Sequence, residues 1–131
     1  MSNTETYPLK TACVSLVDGD AAIRHARQLL LRSMNYDVRS YATSAALLAD
    51  QRSRECRCVV LDTQLTGNGD ELALLHELRI TGWTGHAILL DGAGLDPEYV
   101  HAVERHGDRI MARTVGDETL LAAIAASINH N

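Results

Sequence analysis

Two short segments of this 131-residue chain, Cys58-Val59-Val60-Leu61 and Ala87-Ile88-Leu89-Leu90, are apolar at every position. A strand with one wet face alternates apolar and polar residues, so a segment without alternation must be covered on both sides. Further β-prone runs at Ala12–Val17, Val38–Tyr41 and Arg109–Met111 bring the set to five. Segments with helical periodicity follow each of them, at Asp20–Met34, Thr43–Arg52, Asp70–Ile80, Pro97–Arg105 and Asp117–Ile128. Strand alternating with helix dictates a parallel sheet, because parallel neighbours need a crossover connection. The expected fold class is α/β, a doubly wound (βα)5 domain with a five-stranded parallel sheet and helices on both faces.

Local signals fix the element ends. Asp96-Pro97-Glu98 puts a capping side chain, a first-turn proline and an acid where a helix N-terminus favours them. Gly107 closes that helix, and Thr43-Ser44 can cap the second. Within Asp20–Met34, the positions Ile23, Ala26, Leu30 and Met34 follow three- and four-residue steps and are expected to form one buried stripe.

Size and charge limit the function. The chain holds one domain's worth of residues, divided here into a polar leader, 1–10, and a folded domain, 11–131. Charged residues make up 22% and hydrophobic ones 46%, an ordinary globular balance. The net charge of −5 argues against DNA binding through a basic face, so no direct nucleic-acid partner is expected. No apolar run approaches the roughly 20 residues of a membrane span, and "MSNTETYPLK" lacks a signal-peptide core. A cytoplasmic location without membrane contact follows. Cys13, Cys56 and Cys58 make no disulfide framework and lack further clustered zinc ligands; all three are expected to be reduced thiols. His25, His76, His86, His101 and His106 are scattered without ligand spacing. Trp83, in the Gly-flanked "TGWTGH", is either a packing anchor or an exposed contact.

In open parallel sheets, ligands collect at the carboxyl ends of the strands. Those ends carry Asp18-Gly19-Asp20 after the first strand, Asp62 after the third, Asp91 after the fourth and Arg113 after the fifth. Carboxylates brought together there repel one another unless a cation or guanidinium intervenes.

This pattern, from "VSLVDGD" through "CVVLDTQLTGNGDELALLHELR", resembles the receiver domain of bacterial two-component response regulators. The resemblance covers nearly the whole chain and implies a flavodoxin-like (CheY-like) fold. It implies that Asp62 is the phosphoacceptor, receiving a phosphoryl group from a histidine kinase or phosphotransfer protein. Any catalysis would be limited to self-phosphorylation on Asp62. It also implies Mg²⁺, held by Asp18, Asp62, the backbone carbonyl of Gln64 and, with a helix-capping role as the competing reading, Asp20.

The site departs from the family at most other positions. The second acid of the pair falls on Gly19, so Mg²⁺ binding is expected to be weak. A hydroxyl position has become Asp91, which when ionised cannot donate a hydrogen bond. The lysine position is Arg113, followed by Thr114 in place of a cis-proline, so a trans peptide is expected. The aromatic switch position is Ile110, in a chain without phenylalanine, and no nearby aromatic offers itself as a substitute. Arg113 is expected to pair with Asp91, Asp62 or both, replacing the neutralisation that metal and phosphate would supply.

Three functions are weighed: a phosphorylatable receiver, a phosphorylation-independent pseudo-receiver acting as a protein-interaction module, and a phosphohydrolase of the haloacid-dehalogenase type. The last is disfavoured because Ala22 stands where a threonine is usual and because such enzymes need a longer chain. The remaining partner is a downstream protein target. The helices at 97–105 and 117–128 offer a face for it or for a homodimer.

Overall fold

The computed structural model describes residues 12–63, 71–91 and 97–129. The leader 1–10, Gln64, Asp70 and Asp96 lie outside the described residues. Strands β1 (Cys13–Val17), β2 (Asp37–Tyr41), β3 (Cys58–Asp62), β4 (His86–Asp91) and β5 (Arg109–Ala112) alternate with helices α1 (Ala21–Ser33), α2 (Ser44–Ala49), α3 (Glu71–Ile80), α4 (Pro97–Arg105) and α5 (Asp117–Asn129). All pairings are parallel, in the order β2-β1-β3-β4-β5. The strand order reverses between β1 and β3, which pair Val17 with Leu61. Asp18 and Asp62 therefore emerge side by side at the topological switch point.

β3 is buried at every position and β4 along Ala87–Leu90, as their sequences demand. Side chains alternate between two cores. Val17, Val59, Leu61 and Leu89 join Leu74, Leu75, Leu78 and Trp83 on one face, whereas Val14, Leu16, Val60 and Leu90 join Leu31, Leu120 and Ile124 on the other. Trp83 is a packing anchor, 3% exposed, and its Nε1–H donates to the Cys56 carbonyl at 2.7 Å.

Helix ends follow capping chemistry. Asp20 accepts from the Ala22 and Ile23 amides at 2.9 and 3.1 Å, and the Thr43 hydroxyl accepts from Ala46 at 3.1 Å. The second helical segment is shorter than expected: α2 stops at Ala49, Asp50 is extended, and a 3-10 turn covers Gln51–Glu55. After α4, Gly107 adopts φ +85° under the His86 ring, which lies 2.9 Å from where a Cβ would stand. Asp108 follows, buried, accepting from the Ala87 amide at 2.8 Å and from Arg79 at 2.8 and 3.0 Å.

Two expectations are corrected. The stripe Ile23, Ala26, Leu30 and Met34 is not the buried face of α1: Ile23 is 38% and Met34 53% exposed, and Leu31 is the buried residue. The face toward the sheet carries Arg24, Arg27, Gln28 and Leu31 instead. It is rotated from the expected one by about one residue step, roughly 100°. Physically, α1 turns Arg27 toward the carboxylates at the strand ends and Arg24 toward the Asp18 backbone carbonyl. The second correction concerns the thiols, because Cys13 and Cys56 are joined as a disulfide and only Cys58 is free.

Candidate functional site

Asp62 ends β3 and is 4% exposed; Asp18, just past β1, is 3% exposed. Two carboxylates taken out of water at this proximity need compensation, and two guanidiniums supply it. From the end of β5, Arg113 grips Asp62 as a fork. Nε reaches both carboxylate oxygens at 3.1 and 3.0 Å, and a terminal nitrogen reaches Oδ1 at 2.8 Å. The Arg113 amide donates to the Asp91 carbonyl at 2.8 Å, which seats the chain at the β4–β5 edge. Its hydrogen bonds to Asp62, and beyond them the fields of Asp62, Asp91 and Asp18, hold the guanidinium above its usual pKa.

Arg27 enters from α1. One terminal nitrogen is 2.8 Å from Asp18 Oδ2 and 3.7 Å from Asp62 Oδ2, so the side chain bridges the two acids. Arg24 binds the Asp18 carbonyl at 2.7 Å, and the Asp20 amide donates to Asp18 Oδ1 at 2.9 Å. Asp18 thus carries a charged and a neutral donor on its two oxygens.

Asp91, half-buried at the end of β4, accepts from the Thr63 hydroxyl at 2.8 Å; that hydroxyl also lies 3.1 Å from the Leu90 carbonyl. A hydroxyl therefore stands beside the β4 end, contributed by the residue after Asp62. On the side facing α3 and α4, the Tyr99 hydroxyl donates to buried Glu71 at 3.0 Å. Burial, and then the charge of Glu71, raise that phenol above its usual pKa. Tyr99 and Ile110 both pack against the buried cluster on this face of the sheet. No cis peptide occurs among the described residues.

Mg²⁺ asks for near-octahedral oxygen donors. Among the described residues, no group of three or more His, Cys, Asp or Glu is arranged to hold a metal ion. Asp18 and Asp62 already carry guanidiniums, Asp20 is exposed and its Oδ1 caps α1, and Gln64 lies outside the described residues. The described residues do not fit the ion.

No family model matches the chain. It is 28% identical to the transcriptional regulatory protein FixJ of Azorhizobium caulinodans over 118 residues, 90% of this chain and 56% of that protein. It is 30% identical to the tetrathionate response regulatory protein TtrR of Salmonella typhimurium, over 89% of this chain and 56% of that protein. Its fold is that of the response regulator receiver domains. The solved signal receiver domain of an HD domain-containing protein from Pseudomonas fluorescens Pf-5 superposes with a TM-score of 0.78 at 24% identity, covering 92% of this chain and 97% of that one. The receiver spans about half the length of the curated relatives it matches, 56% of each of the two named here. No helix among its described residues is long and apolar enough to cross a membrane.

The structure thus brings Asp18, Asp62 and Arg113 of this receiver into one cluster, with Asp91 at its edge and Asp20 turned to the helix cap. Sequence reasoning missed Arg27, Thr63, Tyr99 and Glu71. Arg27 left a signal: Arg24 and Arg27 are three apart, hence on one face of α1, directly after the acid-bearing strand end.

Proposed function

We propose that this receiver signals through protein contacts without Mg²⁺-dependent phosphorylation, as a pseudo-receiver whose own arginines neutralise its acidic pocket. The observation that carries this reading is the Arg113 fork on Asp62. Both Asp62 oxygens accept hydrogen bonds from Arg113, and Arg27 adds a second positive charge at 3.7 Å. An oxygen held this way is a poor nucleophile, and a dication brought beside the two guanidiniums would be repelled. The partner is a downstream protein target in the cytoplasm, met on the face of α4 and α5, which would also serve a homodimer. The reading assigns no nucleic-acid or membrane contact to these residues.

A second reading keeps Asp62 as the phosphoacceptor for a histidine kinase or phosphotransfer protein, with Mg²⁺ bound weakly. What favours it is the retention of Asp62 as a buried strand-end carboxylate beside Asp18. For that chemistry Arg113 would have to leave Asp62 and contact the phosphoryl oxygens instead. NMR titration with Mg²⁺ and beryllofluoride separates the two. The pseudo-receiver shows no change around Asp62 at millimolar Mg²⁺, whereas shifts that vanish in Asp62→Asn would overturn the first reading in favour of the second.

A further inference from the structure

The same two strands that end in Asp18 and Asp62 are covalently linked near their beginnings. Cys13 opens β1, Cys56 lies two residues before β3, and the disulfide joins Cα atoms 4.6 Å apart across 43 residues of sequence. The enclosed segment carries α1, β2, α2 and the 3-10 turn, and with them Asp18 and Arg27.

We propose that this disulfide is a redox-responsive latch, opened and closed by exchange with a low-molecular-weight thiol of the glutathione class. It stands apart from the question of phosphorylation. Three observations carry it. First, the two sulfur positions differ in access: Cys56 is fully buried, whereas Cys13 is partly exposed and lines a cleft of about 520 Å³. That volume is within the range of small-molecule sites. Second, Arg39 and Arg57 line the cleft with Asp37 and Glu55, and the Arg39 Nε is buried without a hydrogen-bond partner. A thiol bearing both carboxylate and ammonium groups matches that mixed lining. Third, the remaining thiol cannot compete in the exchange. Cys58 is fully buried, and burial pushes it up to about 12, which keeps it neutral and unreactive.

The exchange balances without a further reactant. An external thiolate attacks the Cys13 sulfur, the Cys13–Cys56 bond breaks, and Cys56 leaves as a thiolate that takes up a proton. A second external thiolate attacks the mixed disulfide on Cys13. It releases Cys13 as a thiolate and carries away an oxidised low-molecular-weight disulfide. Two thiols are oxidised and one protein disulfide is reduced; the oxidised small molecule drives the reverse. In a reducing compartment, disulfides that persist are commonly redox-sensing or catalytic, which is the use inferred here.

The receiver carries its own reporter. Trp83, the single tryptophan, is bonded through Nε1 to the Cys56 carbonyl. The folded receiver is equilibrated in glutathione buffers of stepped oxidised-to-reduced ratio, with Trp83 emission read alongside the mass of alkylated protein. The expected result is one transition in which the thiols alkylated after an acid quench and denaturation rise from one, Cys58, to three, with emission rising as the quenching disulfide opens. Opening a loop of this length lowers the melting temperature by roughly 10 °C. Cys58→Ser keeps the transition, whereas Cys13→Ser abolishes it. Because Cys13→Ser is also less stable, the parent protein's thiol count decides alone if that variant misfolds. A disulfide that survives excess reduced glutathione in the native protein would overturn the proposal, since it would be a permanent cross-link. Two thiols that never pair under excess oxidised glutathione would overturn it equally.

Discussion

Arg113→Met is the perturbation that tests the pocket most directly. Methionine keeps much of the arginine stem's packing and removes the charge and its donors, so the loss falls on the contact with Asp62. The pair is close to buried, with side chains 19% and 6% exposed, and its contacts run from 2.8 to 3.1 Å. Removing one partner of a buried pair costs about 3–5 kcal/mol, because the other charge is stranded out of water. Two features lower that figure. Arg113 keeps some water contact, and Arg27 remains 3.7 Å from Asp62 to share the charge. A net loss of about 2 kcal/mol follows. At a urea slope of about 1.5 kcal/mol/M, the unfolding midpoint falls by roughly 1.3 M. The decisive assay is the double-mutant cycle with Asp62→Asn, where no carboxylate is left to strand. There Arg113→Met is expected to cost less than about 0.5 kcal/mol, giving a coupling of about 1.5 kcal/mol. Equal costs in the two backgrounds would refute the argument, because Arg113 would then stabilise through its stem and not through Asp62.

Restoring the missing acid with Gly19→Asp is expected to leave Mg²⁺ affinity unchanged by isothermal calorimetry while Arg27 and Arg113 occupy the pocket. Combining it with Arg113→Met should raise that affinity, since the ion then meets acids without the competing fork. Asp108→Ala strands the Ala87 amide and Arg79 together and is expected to cost about 3 kcal/mol by urea denaturation. Asp108→Asn, which still accepts from Ala87, should cost about half as much. Tyr41 is held up to about 12 by burial and by its 2.7 Å hydrogen bond to Asp50. Its folded pKa exceeds the unfolded value of 10.0, so the unfolded chain loses the proton first. That contribution is complete below about pH 10 and disappears between about pH 10 and 12. Urea midpoints at about pH 9 and pH 11 should therefore fall less in Tyr41→Phe than in the parent.

The sheet was legible because its causes are local. The apolar runs Cys58–Leu61 of β3 and Ala87–Leu90 of β4, a cap at Asp20 and a breaker at Gly107 each act on neighbours in sequence, and the doubly wound order follows from them. What escaped sequence reading depends on pairs distant along the chain. The rotation of α1 could not be read from apolar spacing, because Ile23 and Met34 form a regular stripe that the structure leaves exposed. Apolar periodicity assigns every arginine to the solvent side, although here Arg27 reaches two buried acids. Likewise, Cys13 and Cys56 look unrelated across 43 residues until the β1–β3 pairing brings their strands together. Arg113 was easier to anticipate. Its place at a strand end, in a sheet whose other ends carry acids, left few partners for a planar cation.

Charge closure ties these departures into one account. At the switch point, Asp18 and Asp62 contribute two negative charges, and Arg27 and Arg113 return two positive ones within 2.8 Å of them. A second acid at position 19, which is itself exposed, would add a negative charge that the two arginines do not balance. Gly19 is therefore compatible with a pocket neutralised from within, whereas a pocket that depends on a dication needs the acid. The same reasoning explains how Asp91 is tolerated at a hydroxyl position. It accepts from Thr63, lies in the field of Arg113, and remains half-exposed, so its charge is neither stranded nor set against an incoming anion. A sequence that restores only one of these positions would leave a charge without its counterpart. The pocket is expected to change function only when the acid at 19 and the cation at 113 change together.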